Sequence, residues 1–422
     1  MEQAADVVEG RRFKRATLKR TRMSTARPIK AWNILDCGLS RGVTGHHHWE
    51  AKALTDELAR RGNKVRLFTQ LNAPDAAQFA GAELIPTFAM FQYQEISNDP
   101  MWSAIENFVV HNRSFHRDLS RLDPSLFEGA VTVFPTLGEN QILGLVRWLA
   151  EFPSEMRPRV AIGLRTPQAF TPGNTRAQFY RNVFKKYLSE HGPGIAVFCR
   201  TEQSAAMTEK HVGVKASAFP VLAPDELLSR RPRAATAGTG PMVVSFVGGA
   251  RRERGAALLP EIVKRCASPA VQFFIQVRAE ADPTFDPNIL RALSGQPHVR
   301  IHNGAMPRED YYDVIANSVA LIAYEPESYR WRDSGVYHEA KMLDAPALVS
   351  AGTWMEDDVK TLGNGLVIDA FTADAVVECI MRALRKRPEL AAAAVRAGKG
   401  AREKNGVARC LEAFENACSG RA

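Results

Sequence analysis

Short apolar runs alternate with stretches of helical period along this chain, and the alternation is interrupted once and then starts again. The first series opens with Ala31–Cys37, the loop LSRGVTG, a helix from about His46 to Arg61 and the run RGNKVRLFT. Further strands are expected at Ala82–Ile85, Ala130–Phe134, Val160–Leu164, Ile195–Cys199 and Lys215–Phe219. Between Pro220 and Pro241, proline, alanine, glycine and arginine dominate and the apolar period stops, which reads as a linker. The second series follows as MVVSFVGG, VQFFIQV, VRIHNG, SVALIAY, APALVS and GLVID, with helices after Arg254 and from Arg308 and a helical tail over Ala373–Ala417. Such alternation predicts an α/β chain built on parallel sheets. Two units of this kind joined by a linker predict two Rossmann-like, doubly wound domains facing each other across a cleft, with ligands at the carboxyl ends of the strands.

Composition fits that reading. A chain of 422 residues, 45% apolar and 24% charged, is long enough for two or three ordinary domains and is not generally disordered. Its net charge of +9 is local, because Arg11–Lys30 holds nine basic residues and no acid, leaving the remainder near neutral. Nucleic-acid-binding domains spread basic residues over a face, so no nucleic-acid partner is expected of the body. The basic arm, residues 1–30, has three readings: a leader ahead of a true start at Met23, a disordered tail, or a segment drawn to anionic lipid at about 1 kcal/mol per basic residue. No secretory apolar region follows it, and no run approaches the ~20 apolar residues of a spanning helix. A cytoplasmic protein is expected, and the third reading of the arm would make it peripheral at the membrane. The cysteines at 37, 199, 266, 379, 410 and 418 lack CxxC spacing and read as reduced, mostly buried thiols.

The stretch AYEPESYRWRDSGVYHEAKMLDAPALVSA, Ala323–Ala351, reads as strand, polar loop, helix and strand. A helix beginning near Ser334 and Gly335 presents unpaired N–H groups and a positive dipole end to an anion, and Gly335 lets the backbone come close. Glu339 lies one turn further, where a carboxylate can accept hydrogen bonds from ribose hydroxyls. An ordinary strand-to-helix connection, with Glu339 paired to Lys341 or Arg332, is the competing reading. Arg251, Arg252 and Arg254 crowd another helix start, an unfavourable place for cations unless an anion binds there. Tyr329, Trp331 and Tyr337 are either stacking groups for a base or sugar, or packing groups.

With those residues in view, the second series resembles the GT-B glycosyltransferases, and most closely glycosyltransferase family four. SFVGGARRERG (245–255) is similar to the family's FVGRLxxEKG, and the segment from Val299 to Ser328 to its strand, glycine turn, helix and strand. SGVYHEAKMLDAPALVSA resembles FGLxxLEAMAxGxPVVAS, and GNGLVID resembles the following G–G–LV strand. The resemblance covers about 140 residues of the second half well and the first half in outline. It implies a donor site for a nucleoside-diphosphate sugar made of Gly248, Gly249, Arg251, Arg254, Gly304, Ser334, Gly335, Val336 and Glu339, with Arg254 at the position of the phosphate lysine. Two positions depart from the pattern: the arginine after FVG falls on Gly249, so Arg251 or Arg252 must replace it, and the first acid of Glu-x7-Glu falls on Trp331, leaving Asp333, Glu327 or Glu325.

The resemblance also implies domains: an acceptor domain over residues 31–220, a linker over 221–241, a donor domain over 242–400 and a C-terminal helix over 401–422. In the loop GVTGHHHW, Gly45 is expected near the donor phosphates and His46 is the candidate general base of an inverting reaction; a polar first helix turn or a fortuitous metal site is the alternative. Arg165 in GLRTP and Glu139 in PTLGEN are expected on the acceptor side. Asp333, His46 and Arg254 form the expected catalytic set. No metal and no cofactor beyond the sugar nucleotide are expected, since no Asp-x-Asp element stands out. The implied activity is sugar transfer to a hydroxyl of a carbohydrate or lipid-linked acceptor. By fold-level analogy this belongs to polysaccharide or glycolipid synthesis. A nucleotide-sugar epimerase or hydrolase and a non-catalytic nucleotide- or carbohydrate-binding protein are the alternatives.

Overall fold

The computed structural model describes residues 31–42, 46–97, 99, 102–164, 175–192, 194–230, 240–277 and 285–419. The arm over residues 1–30, Gly45 and Arg165 lie outside them, as does the side chain of His46.

The first series forms a seven-stranded parallel sheet from β1 (Ala31–Leu35), β2 (Val65–Gln70), β3 (Glu83–Phe88), β4 (Ala130–Leu137), β5 (Val160–Leu164), β6 (Ile195–Cys199) and β7 (Ala216–Ala218). Its order is β3-β2-β1-β4-β5-β6-β7. The second series forms a six-stranded parallel sheet from β8 (Met242–Phe246), β9 (Val271–Val277), β10 (Val299–Asn303), β11 (Val319–Ile322), β12 (Ala347–Ser350) and β13 (Gly365–Ile368). Here the order is β10-β9-β8-β11-β12-β13. The inner strands are covered on both faces, and in β1, β11 and β12 every residue is buried, whereas the edge strands β3, β7 and β10 are partly exposed. The order reverses between β1 and β4 and between β8 and β11, and such switch points open a crevice at the strands' carboxyl ends.

Two features differ from the sequence reading. The stretch after Pro220 is packed before it becomes a connection: Asp225–Ser229 is a short helix, and Leu222, Ala223 and Leu227 are buried. Residues 231–239 lie outside the description. The helical tail is three helices, Ala373–Arg385, Arg387–Lys404 and Val407–Ser419. The last packs on the first sheet, where Cys410, Leu411 and Phe414 share a core with Trp32, Ile34, Phe198 and Phe219. The two crossings between the sheets are stitched together: Val221 N–H donates to Asn405 Oδ1 (2.7 Å) and Gly406 N–H to the Val221 carbonyl (3.0 Å). All six cysteines are unpaired thiols, five of them buried.

Candidate functional site

A cleft of about 1030 Å³ lies between the two sheets. Trp49, Glu50, Tyr93 and Arg200 line one wall, and Arg251, Arg254, Met306, Arg308, Tyr311, Arg332, Asp333, Gly335 and Glu339 line the other.

The second wall is organised around the turn after β8. Gly248 has φ 88°, and a Cβ added there would lie 2.9 Å from both Arg254 Nη1 and Val336 Cγ2. A glycine at this position lets the turn, the guanidinium and a helix start converge. The Gly248 N–H donates to Gln276 Oε1 (3.0 Å), and Gln276 Nε2 donates to the Gly304 carbonyl (3.0 Å), so one buried amide at the end of β9 fixes two glycine turns. Arg254 donates from Nη1 to the Gly248 carbonyl and from Nε to Tyr329 Oη (3.1 Å), and its guanidinium sits 5.5 Å from the centre of the Tyr324 ring. Two of its three nitrogens are therefore held by protein while the side chain lines the cleft.

Beside it, Ser334 caps the helix Gly335–Met342, its Oγ accepting from the Tyr337 N–H (3.2 Å). The cap leaves the Gly335 and Val336 N–H groups outside the helix's own ladder, at the positive end of the dipole. Glu339 follows one turn later and accepts from Tyr311 Oη (2.7 Å). Burial pushes its carboxyl up to about 7, the Tyr311 hydrogen bond opposing the rise. The competing pairing of Glu339 with Lys341 or Arg332 does not form: Lys341 bonds Asp358 (2.7 Å), and Arg332 lies 3.8 Å from Glu253.

That carboxyl yields a pH prediction. Protonation of Glu339 is easier folded than unfolded, so its ionisation destabilises the fold: this penalty is absent below about pH 4.5 and complete above about pH 7. A ligand whose hydroxyls donate to the carboxylate binds the ionised form. Affinity for such a ligand should therefore rise with pH up to about 7 and then level off, and Glu339→Gln should flatten the profile. Calorimetric titration with the nucleotide from acid to mildly alkaline buffer checks it; a sloping profile in the variant would show that another group titrates.

The remaining candidates separate. Arg251 lines the cleft, whereas Arg252 lines a different hollow with Phe285 and Asp286, which separates the two arginines left open by the sequence. Asp333 is in the cleft, its Oδ1 2.7 Å from His338 Nε2, and the His338 ring stacks on Trp354. Gly249 and Gly304 take positive φ in the two turns. Tyr329 and Tyr337 are both buried, and Tyr329 is among the residues lining the cleft. Glu139 begins the helix Glu139–Glu151, where its carbonyl accepts from Tyr180, and is not among the cleft-lining residues. His46 begins the helix His46–Arg60.

Sequence reasoning missed three groups. His47 is buried with Nδ1 2.8 and 2.9 Å from the two oxygens of Asp36, at the end of β1. Arg200, after β6, places Nη2 2.9 and 3.0 Å from the two oxygens of Glu50, and both line the cleft. The third is Gln276. Among the described residues, no group of three or more His, Cys, Asp or Glu side chains gathers as a metal site, and no helix is long and apolar enough to cross a membrane.

Two facing parallel α/β domains with the cleft at their carboxyl ends are the GT-B fold. Sucrose-phosphate synthase from Thermosynechococcus elongatus aligns over 91% of this chain and 98% of its own, at 17% identity and TM-score 0.60. WaaG, a glycosyltransferase involved in lipopolysaccharide biosynthesis, aligns over 92% and 100%, at 16% and 0.57. HepE from Anabaena in complex with UDP aligns over 92% and 100%, at 10% and 0.61. No protein-family model matches the chain, and no curated protein does.

Proposed function

We propose that this protein is a glycosyltransferase that moves a sugar from a nucleoside-diphosphate donor to a hydroxyl acceptor. The convergence of Arg254, the Gly248 turn and the capped start of Gly335–Met342 supports this reading. Developing charge on a leaving diphosphate is best stabilised by donors already fixed in place. Arg254 is fixed by Tyr329 and the Gly248 carbonyl, Gly335 adds backbone N–H at the dipole end, and Arg251 adds charge at the rim. We assign the ribose hydroxyls to Glu339, which lines the same cleft one turn into that helix. The structures of HepE with UDP and with UDP-glucose support a nucleotide sugar as the ligand class.

In the reaction the acceptor oxygen attacks the anomeric carbon, the bond from that carbon to the diphosphate oxygen breaks, and the diphosphate leaves with the electron pair. The acceptor proton goes to a base, for which His46 is our candidate in an inverting reaction, or to the departing diphosphate in a retaining one. Fixed cations can carry the charge without a metal. The acceptor is proposed to be a carbohydrate or lipid-linked hydroxyl, with the basic arm providing contact with an anionic membrane surface at the cytoplasmic side.

One observation favours a second reading. Trp331 stands where the family pattern has an acid, which fits a nucleotide-binding protein without turnover. A thermal-shift screen against UDP, GDP, ADP and their sugar conjugates tests both readings, because a ligand that binds only the folded state raises its stability by about 2.7 kcal/mol at a hundredfold excess over Kd. We expect one nucleoside diphosphate to act selectively and its sugar conjugate to be consumed when acceptors are added. Binding without consumption across an acceptor panel supports the second reading, and no shift with any nucleotide overturns both.

A further inference from the structure

Trp331 is not among the residues lining the cleft; its side chain packs against the apolar core of the first domain, the cluster containing Ala205 and Met207. Its carbonyl accepts from Ser204 Oγ (3.0 Å) across the domain boundary. Ser204 is buried at the start of the helix Glu202–Val212, and Thr201 Oγ1 donates to its Oγ (2.9 Å), which directs the one Ser204 proton to Trp331. On either side of Trp331 the same loop holds the donor wall. Tyr329 anchors Arg254, the Arg332 carbonyl takes the Trp354 indole N–H (2.9 Å), and Asp333 holds His338.

We infer that Trp331 is an interdomain positioning residue: a latch that keeps the cleft closed before ligand arrives and ties the placement of Arg254 to that closure. Parting the domains must withdraw the indole from the first core and break the Ser204 bond, so the loop cannot stay registered on both sides at once. The tryptophan thus uses the position of an acid for domain registration. This goes beyond the proposed activity and rests on it only where nucleotide release is measured.

The test uses the full chain with Trp331→Ala, Trp331→Phe and Ser204→Ala. Small-angle scattering without ligand should give a larger radius of gyration for Trp331→Ala, a smaller increase for Ser204→Ala, and the wild-type value for Trp331→Phe, which keeps the apolar packing. Stopped-flow release of whichever of UDP, GDP or ADP binds should be about tenfold faster in Trp331→Ala, the equivalent of losing part of one large apolar side chain's burial. Wild-type scattering from Trp331→Ala overturns the inference. So does opening in Trp331→Phe as large as in Trp331→Ala, and so does unchanged release from an opened Trp331→Ala. If no nucleotide binds, the proposed activity fails while scattering still decides the latch; if Trp331→Ala does not fold, Ser204→Ala decides.

Discussion

Arg254→Ala is expected to lower kcat/KM for the proposed sugar transfer by about two to three orders of magnitude, the usual effect of removing one fixed donor from a developing oxyanion, the role proposed for this side chain. The effect is large because the side chain is held on two sides before any ligand arrives, by the Gly248 carbonyl and the Tyr329 hydroxyl. Among the other cleft-lining cations, Arg308 and Arg332 are not joined to the Gly248 turn as Arg254 is. Arg251 lies at the half-exposed rim, 3.9 Å from Glu253, and Arg252 faces another hollow. Stability should fall as well, by about 1–3 kcal/mol, because the Tyr329 hydroxyl loses its partner in a buried setting. Arg254→Lys should fall between, since an ammonium carries the charge but lacks the planar fork that reaches two partners. Steady-state kinetics and a thermal shift with the cognate nucleoside diphosphate check the set. Full nucleotide stabilisation of the alanine variant would remove Arg254 from the site.

Gly255→Ala is expected to be the most damaging single-methyl change near the cleft, costing about 2–4 kcal/mol and most of the activity. Gly255 has φ 82°, where an L side chain is strained, and an added Cβ would collide with the backbone oxygen of Ala323 just after β11. That oxygen is backbone and not the end of a flexible side chain, so relief requires moving the turn. That turn carries Arg254, and the Glu253 carbonyl within it accepts from the Glu325 N–H (2.9 Å), so displacement passes to both loops that meet at this wall of the cleft. Denaturant unfolding measures the stability loss and nucleotide affinity the displacement. A variant with wild-type stability would mean that the backbone relaxes without strain.

The fold was legible because buried parallel strands leave a continuous apolar run. Val160–Leu164 and Ile195–Cys199 were readable to the residue, and the break before Met242 separated the two sheets. The packed half of the linker was less legible: Leu222, Ala223 and Leu227 are buried along a stretch with only a five-residue helix, so no period marks them. At the site, glycine spacing revealed the turns, but Arg251 and Arg252 could not be separated, because adjacent residues entering a tight turn point to different sides. The Asp36–His47 and Glu50–Arg200 pairs were hidden for a different reason. Glu50 and Arg200 are 150 residues apart and meet only once the sheet order has placed the start of one helix beside the end of β6. Trp331 was visible as a departure from the family pattern, but its attachment to the first domain depends on a contact 127 residues distant.

The last described helix, Val407–Ser419, belongs to the first sheet's core although the whole second sheet lies between the two in the chain. Until Cys410, Leu411 and Phe414 emerge from the ribosome, Ala51, Leu54 and Leu58 cover part of that core, but Phe198 and Phe219 lack the Phe414 ring. An N-terminal domain made first is therefore incomplete in its packing. Its core closes only after the second sheet has been made.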